Sequence, residues 1–241
     1  MAETALTLLC FAQAGGNAQG FRRWAAWLPE TLRLLPLDRP GHGARRGEAP
    51  EQDWDRLLPR LLVALPPRLG PYALFGHSLG ALVALEMAHA LRAAGHGEPA
   101  WLAVSGCAAP GARRPGPGWH DAPDRAVVAR LRELGGTPEA LFDAPELLQA
   151  VLPGLRCELH LGDTHRAPPR APLGCPVLAL RGREDALPAA DALQAWAPES
   201  RGALRCVALE GGHFLTEAAE RAIARELLAL SPQAMRHLAY G

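Results

Sequence analysis

Residues 75–81 read Phe-Gly-His-Ser-Leu-Gly-Ala. Ser78 stands between Gly76 and Gly80, after the apolar run Tyr72-Ala73-Leu74-Phe75 and before the long apolar stretch 81–91. A G-x-S-x-G pattern in that setting predicts a strand, a sharp turn and a helix, with the serine hydroxyl raised at the top of a sheet. The two glycines let backbone approach backbone where a larger side chain would collide. A serine hydroxyl is a weak nucleophile. It attacks an acyl carbon only when a base takes its proton and a third group orients that base.

In this kind of site the partners follow in the order serine, acid, histidine. Nine histidines compete for the role of base. His42, His77 and His89 precede the serine or share its helix, and His77, pointing away from its neighbour, is expected to shape the turn. His96, His120, His160 and His165 fall in loops or in an inserted segment, and His237 is close to the end of the chain. His213 remains, in Glu210-Gly211-Gly212-His213-Phe214 after the last strand, where two glycines can present an imidazole at a strand's carboxyl edge.

The acid must lie between Ser78 and His213. The loop Gly106-Cys107-Ala108-Ala109-Pro110 carries none, and the next strand end reads Leu180-Arg181-Gly182-Arg183-Glu184-Asp185. Asp185 is favoured because Gly-x-x-Asp lets the chain turn over the edge before the carboxylate points back. Glu184 competes in the same loop, and Asp185 also stands where a helix N-cap would. The developing oxyanion needs two backbone N–H groups. Leu79 supplies one. The loop 11–16 supplies the other, through Ala14 or, second, Gln13.

These groups need a scaffold, and the apolar pattern alternates strand and helix along the chain. Strands are expected at 4–11, 34–37, 72–75, 101–105, 177–180 and 204–209, with helices at 21–28, 54–65, 81–91, after Pro188 and at 216–230. That alternation predicts an α/β fold, a mostly parallel sheet covered on both faces. Residues 113–172 do not fit the alternation. They are proline-punctuated and helical, with amphipathic segments at 124–134 and 145–152, and are read as a helical cap inserted between two strands of one domain spanning 1–241.

The 241 residues suit one such domain, and 25 basic residues balance 25 acidic ones, so no global field favours nucleic acid or a membrane surface. The start, Met1-Ala2-Glu3-Thr4, has no basic leader, and five cysteines lack any C-x-x-C pairing, which predicts reduced thiols in the cytoplasm. Cys10 and Cys206 sit in apolar runs as small core residues. No histidine pair has metal-ligand spacing, Asp163 and His165 are too scattered, and no phosphate-loop pattern occurs, so neither metal nor cofactor is expected.

From residue 8 to residue 230 the chain resembles the type II thioesterases, stand-alone editing hydrolases of polyketide and nonribosomal peptide synthases. The resemblance runs through LLCFAQAGGNAQGFRRW, LDRPGHGARR, ALFGHSLGALVALEMA, VSGCAAP, LRELGGTPEALFDAPELLQAVLPGLR, CPVLALRGREDAL and LEGGHFL. It implies an α/β-hydrolase fold with a helical lid, a triad of Ser78, Asp185 and His213, and oxyanion donors at Ala14 and Leu79. It also implies an enzyme that removes acyl groups from the 4'-phosphopantetheine arm of acyl or peptidyl carrier proteins; a monomer is expected. The chain departs from the family pattern at Gln13, usually histidine, at Arg39-Pro40-Gly41-His42-Gly43, usually Leu-Pro-Gly-Arg-Gly, and at 158–165, which often holds tyrosines. Those departures bear on the acyl pocket and the pantetheine tunnel. A small-molecule esterase or acyltransferase, a product-releasing thioesterase and a non-catalytic scaffold are the other readings. For docking an acidic carrier, Arg22, Arg23, Arg39, Arg45, Arg46, Arg113 and Arg114 are expected to ring the mouth, with Leu131, Leu134, Leu141 and Phe142 as the apolar option.

Overall fold

The computed structural model describes residues 5–113, 118–188 and 190–240, with the backbone alone at 190–191 and 232–240. Its centre is a sheet of six strands: β1 (Leu6–Phe11), β2 (Leu32–Pro36), β3 (Tyr72–His77), β4 (Leu102–Ser105), β5 (Val177–Gly182) and β6 (Leu204–Leu209). They lie in the order β2-β1-β3-β4-β5-β6 and every pairing is parallel. Thr4 of the first expected strand lies outside the described residues.

Both faces are covered, as continuous rather than alternating apolar strands require. Leu9, Phe11 and Leu74 point to one face, where α1 (Trp54–Val63), α2 (Leu79–Ala93) and Trp196 pack. Leu6, Leu8, Ala73 and Phe75 point to the other, against Phe21, Trp24 and α6 (Glu217–Tyr240). Each fully buried leucine or phenylalanine there stabilises the fold by about 1.5–3 kcal/mol. Residues 18–26 and 190–199 wind as 3₁₀ turns rather than α-helix. Asn17 starts the first of these by accepting from the Gln19 N–H.

The chain between β4 and β5 is helical: α3 (Asp124–Leu134), α4 (Glu139–Phe142) and α5 (Pro145–Thr164). The reading of a helix ending at 152 is too short. Pro153 lies inside α5 and removes one backbone hydrogen bond. The helix continues because Leu152 and Leu155 pack with Val127, and Leu161 joins the main core nearly two turns further on. The last expected helix is also too short, since α6 runs on to Tyr240. No helix among the described residues is long and apolar enough to cross a membrane.

Candidate active site

Strand register brings the site together. Phe11 pairs with Gly76, His77 with Ser105, and Gly182 with Leu209, so the loops that leave these strands emerge at one edge of the sheet. Ser78 follows β3 with φ 55° and ψ −119°, the one non-glycine residue at positive φ among the described residues. Such a conformation costs about 1–3 kcal/mol and persists only when its surroundings impose it. Here the Ser78 N–H donates to the Ser105 carbonyl at 2.8 Å and the Ala81 N–H to the Ser78 carbonyl at 3.0 Å. A Cβ at Gly76 would overlap the Gly80 carbonyl, and one at Gly80 would overlap the Phe11 carbonyl, so neither position tolerates a side chain.

The structure brings Ser78, His213 and Asp185 together. His213 Nε2 lies 3.1 Å from Ser78 Oγ, and His213 Nδ1 lies 2.9 Å from Asp185 Oδ2. An ionised carboxylate only accepts, so Nδ1 carries the proton and Nε2 keeps a lone pair facing the serine hydroxyl. Asp185 and His213 are both buried. Their loops are zipped together: the Arg183 N–H donates to the Leu209 carbonyl at 2.8 Å and the Glu184 N–H to the Gly211 carbonyl at 3.1 Å. Gly182 permits this, because a Cβ there would strike the carbonyls of Gly211 and Gly212. Glu184 is exposed, whereas Asp185 Oδ1 also accepts from the Leu187 N–H at 2.9 Å. The helix-cap reading of Asp185 does not hold: residues 186–188 are bends and the next helical segment starts at Ala190, so its second oxygen fixes a loop N–H while the first faces His213.

His77 is buried, with Nδ1 3.1 Å from Ser105 Oγ and its ring centroid 5.2 Å from that of His213. Burial, aided by the neighbouring His213, pushes its pKa down to about 3, so it stays neutral. Burial likewise pushes the Cys107 thiol up to about 11. A thiol protonated at neutral pH is no rival nucleophile.

The loop after β1 presents the other side. The N–H groups of Ala14 and Leu79 find no acceptor among the described residues. A cleft of about 290 Å³ adjoins the site, bounded by Gln13, His77, Gly136 and Phe214 above Phe21 and Trp24. Gly136, at φ 75°, lies against the Phe214 ring, where a Cβ would overlap it. That contact brings the Leu-Gly-Gly turn of the insertion beside His213.

Two features were missed in the sequence, and one is a correction. Arg39 does not belong to an exposed rim: it is 3% exposed and its Nε lies 2.5 Å from Oε1 of Glu158 on α5. Glu158 itself was not singled out. Its signal was a lone carboxylate in the apolar stripe Leu155, Glu158, Leu161. Of the other arginines, Arg23 pairs with Glu217 and Glu220, Arg45 with Glu48, and Arg113 donates to the Gly162 carbonyl. Arg22 and Arg46 are exposed, and Arg114 lies outside the described residues. Asp163 and His165 have separate partners, His120 and Glu86. No three metal-ligating side chains gather among the described residues.

Residues 6–230 match the thioesterase domain family. Thioesterase PikA5 of Streptomyces venezuelae is 36% identical, over 88% of this chain and 76% of its own. The RedJ thioesterase of the prodiginine pathway in Streptomyces coelicolor superposes with a TM-score of 0.87 at 33% identity, covering 93% of this chain and 90% of that one. ClbQ, from the colibactin nonribosomal peptide and polyketide pathway, superposes with a TM-score of 0.88 at 27% identity, covering 95% and 98%.

Proposed function

The chain belongs to the thioesterase domain family, and from that premise we propose that it hydrolyses acyl groups from the 4'-phosphopantetheine arm of carrier proteins in polyketide or nonribosomal peptide synthesis, clearing aberrant or stalled chains. The observation that carries the reading is the hydrogen-bonded series Ser78 Oγ, His213 Nε2, His213 Nδ1 and Asp185 Oδ2 at the carboxyl edge of the sheet. In the proposed mechanism His213 accepts the Ser78 proton as Oγ attacks the thioester carbon. Asp185 holds the imidazole and balances the imidazolium charge. The N–H groups of Ala14 and Leu79 receive the charge that develops on the carbonyl oxygen. His213 returns the proton to the departing pantetheine sulfur. Water, deprotonated by the same base, then cleaves the acyl-serine.

The helical insertion acts as the lid over this site, and carrier recognition falls to the exposed Arg22 and Arg46 with the half-buried Leu131, Leu134, Leu141 and Phe142. The chemistry requires no cofactor or metal, and the enzyme is taken to work in the cytoplasm as a monomer. The test is a comparison of substrates. Acyl groups on a phosphopantetheinylated carrier protein should be hydrolysed far faster, by kcat/KM, than a nitrophenyl ester of the same acid, with an acyl-enzyme adduct visible by intact mass. Preference for the simple ester would instead favour a small-molecule esterase.

A further inference from the structure

Behind the β1 loop lies a buried ion-pair network in which neither Ser78, His213 nor Asp185 takes part. Arg39, in the loop after β2, and Glu158, on α5, each have side chains only 3% exposed. The guanidinium forks onto the β1 loop. Nη1 donates to the Ala12 carbonyl at 2.7 Å and Nη2 to the Gln13 carbonyl at 2.8 Å. Glu158 takes the next link, accepting from the Gly15 N–H at 2.5 Å, while His42 Nε2 lies 3.1 Å from the same carboxylate. Burial alone would raise the Glu158 pKa, but the Arg39 charge and the His42 hydrogen bond hold it below the usual value, so the carboxylate stays ionised.

One peptide plane gives this clamp its meaning. In a trans peptide the carbonyl of one residue and the N–H of the next point in opposite directions across a rigid plane. The Gln13 carbonyl is pinned to Arg39, so the Ala14 N–H points away from the guanidinium. It has no acceptor among the described residues. On either side of it the chain is fixed, at the Ala12 carbonyl by Arg39 and at the Gly15 N–H by Glu158. The start of α2 packs on the same loop, because Gly80 abuts the carbonyls of Phe11 and Ala12. The free N–H of Leu79 therefore lies on a neighbouring, fixed piece of backbone.

We infer that Arg39 and Glu158 are the positioning residues of the oxyanion site: Arg39 orients the Gln13–Ala14 peptide, Glu158 anchors Gly15, and together they aim the Ala14 N–H at the oxygen of the reacting carbonyl. The inference rests on the serine-hydrolase reading above. It gives the insertion a role in the chemistry, because one half of the clamp is carried by α5.

The test uses the full chain, an acyl-pantetheine thioester, a trifluoromethyl ketone that forms a tetrahedral adduct on Ser78, and the unreactive thioether analogue of the substrate. Arg39→Met should lower kcat by about 10–100-fold with little change in KM, a share of what loss of a whole oxyanion donor costs. The ketone should bind more weakly by the same factor, and the thioether should bind as before. Arg39→Lys should lose nearly as much, because an ammonium cannot supply two parallel N–H groups. If Arg39→Met strands Glu158 and fails to fold, the double variant Arg39→Met/Glu158→Leu leaves no unpaired buried charge. It should show the same split between ketone and thioether. Wild-type ketone affinity in a folded variant, or equal weakening of ketone and thioether, overturns the inference. Ser78→Ala serves as the control for the underlying reading. If Ser78→Ala keeps turnover, the serine mechanism fails. If it is inactive, the Arg39 result judges the clamp alone.

Discussion

Ser78 Oγ and His213 Nε2 lie 3.1 Å apart although 135 positions separate the two residues in the chain. The contact depends on two turns, the strained one at Ser78 and the glycine-rich one before His213. Ser78→Ala should abolish hydrolysis of acyl-carrier substrate, by several powers of ten, and leave the melting temperature unchanged or slightly raised. Steady-state kinetics beside a thermal melt checks both halves, and retained activity would remove Ser78 from the mechanism.

Asp185 and Glu184 are neighbours in sequence and differ in what they face. Asp185→Asn keeps the shape of the side chain but favours the wrong imidazole tautomer, and should lower kcat about 10³–10⁴-fold. Glu184→Gln, at an exposed position, should change kcat less than twofold. The opposite pattern would assign the acid to Glu184.

Gly80 leaves no room for a methyl group, because the Phe11 carbonyl occupies that space. Gly80→Ala should cost about 3 kcal/mol or more, since both partners are backbone and cannot rotate away. Urea unfolding reads the loss directly. A variant within 0.5 kcal/mol of wild type, roughly the scatter of neutral substitutions, would refute the close approach.

His77 sits beside the Ser78–His213 pair, its ring centroid 5.2 Å from that of His213. Its ring is held near Ser105, and burial keeps its pKa at about 3. His77→Gln should therefore leave the acid limb of the kcat/KM profile where it stands in the wild type, whatever it does to stability. A displaced limb would mean that His77 titrates in the catalytic cycle.

Glu86 on α2 offers a test of the clasp between core and insertion. Burial would raise its pKa, but hydrogen bonds from His165 and Arg170, with the Arg170 charge, bring it down from 4.5 to about 2. Between those values the unfolded chain binds more protons than the folded one, so stability rises with pH across this window. The contribution, at most about 3 kcal/mol, is complete above pH 4.5 and is lost on acidification toward pH 2. Glu86→Gln should be less stable than wild type at neutral pH and should show a flatter stability curve between pH 2 and 4.5 in urea unfolding.

Much of the site was legible because its parts are local or ordered. The G-x-S-x-G spacing marks Ser78 within five residues, and the order serine, acid, histidine then leaves His213 and the 184–185 pair. The bounds of α3 follow from its amphipathic period. The misreadings have a common origin in distant contacts. Pro153 reads as a helix end until Leu161 is seen in the main core. Arg39 reads as a solvated cation because its partner, Glu158, stands 119 positions away. Nothing near either residue in the chain announces the other.

The order of the strands has a consequence of its own. The connection leaving β1 runs outward to β2, and the one leaving β3 runs the opposite way to β4. Between the ends of β1 and β3 the chain thus reverses its winding, and no crossover covers the gap. Such a topological switch point leaves an open crevice in a doubly wound sheet whatever side chains line it. Ala14 and Ser78 stand on its two banks, at the carboxyl ends of those two strands. The crevice belongs to the routing of the backbone, so substitutions at Gln13, Phe21 or Phe214 can reshape the adjoining cleft without abolishing the crevice. Substrate preference can drift in this architecture while the place where acyl groups are cleaved stays fixed.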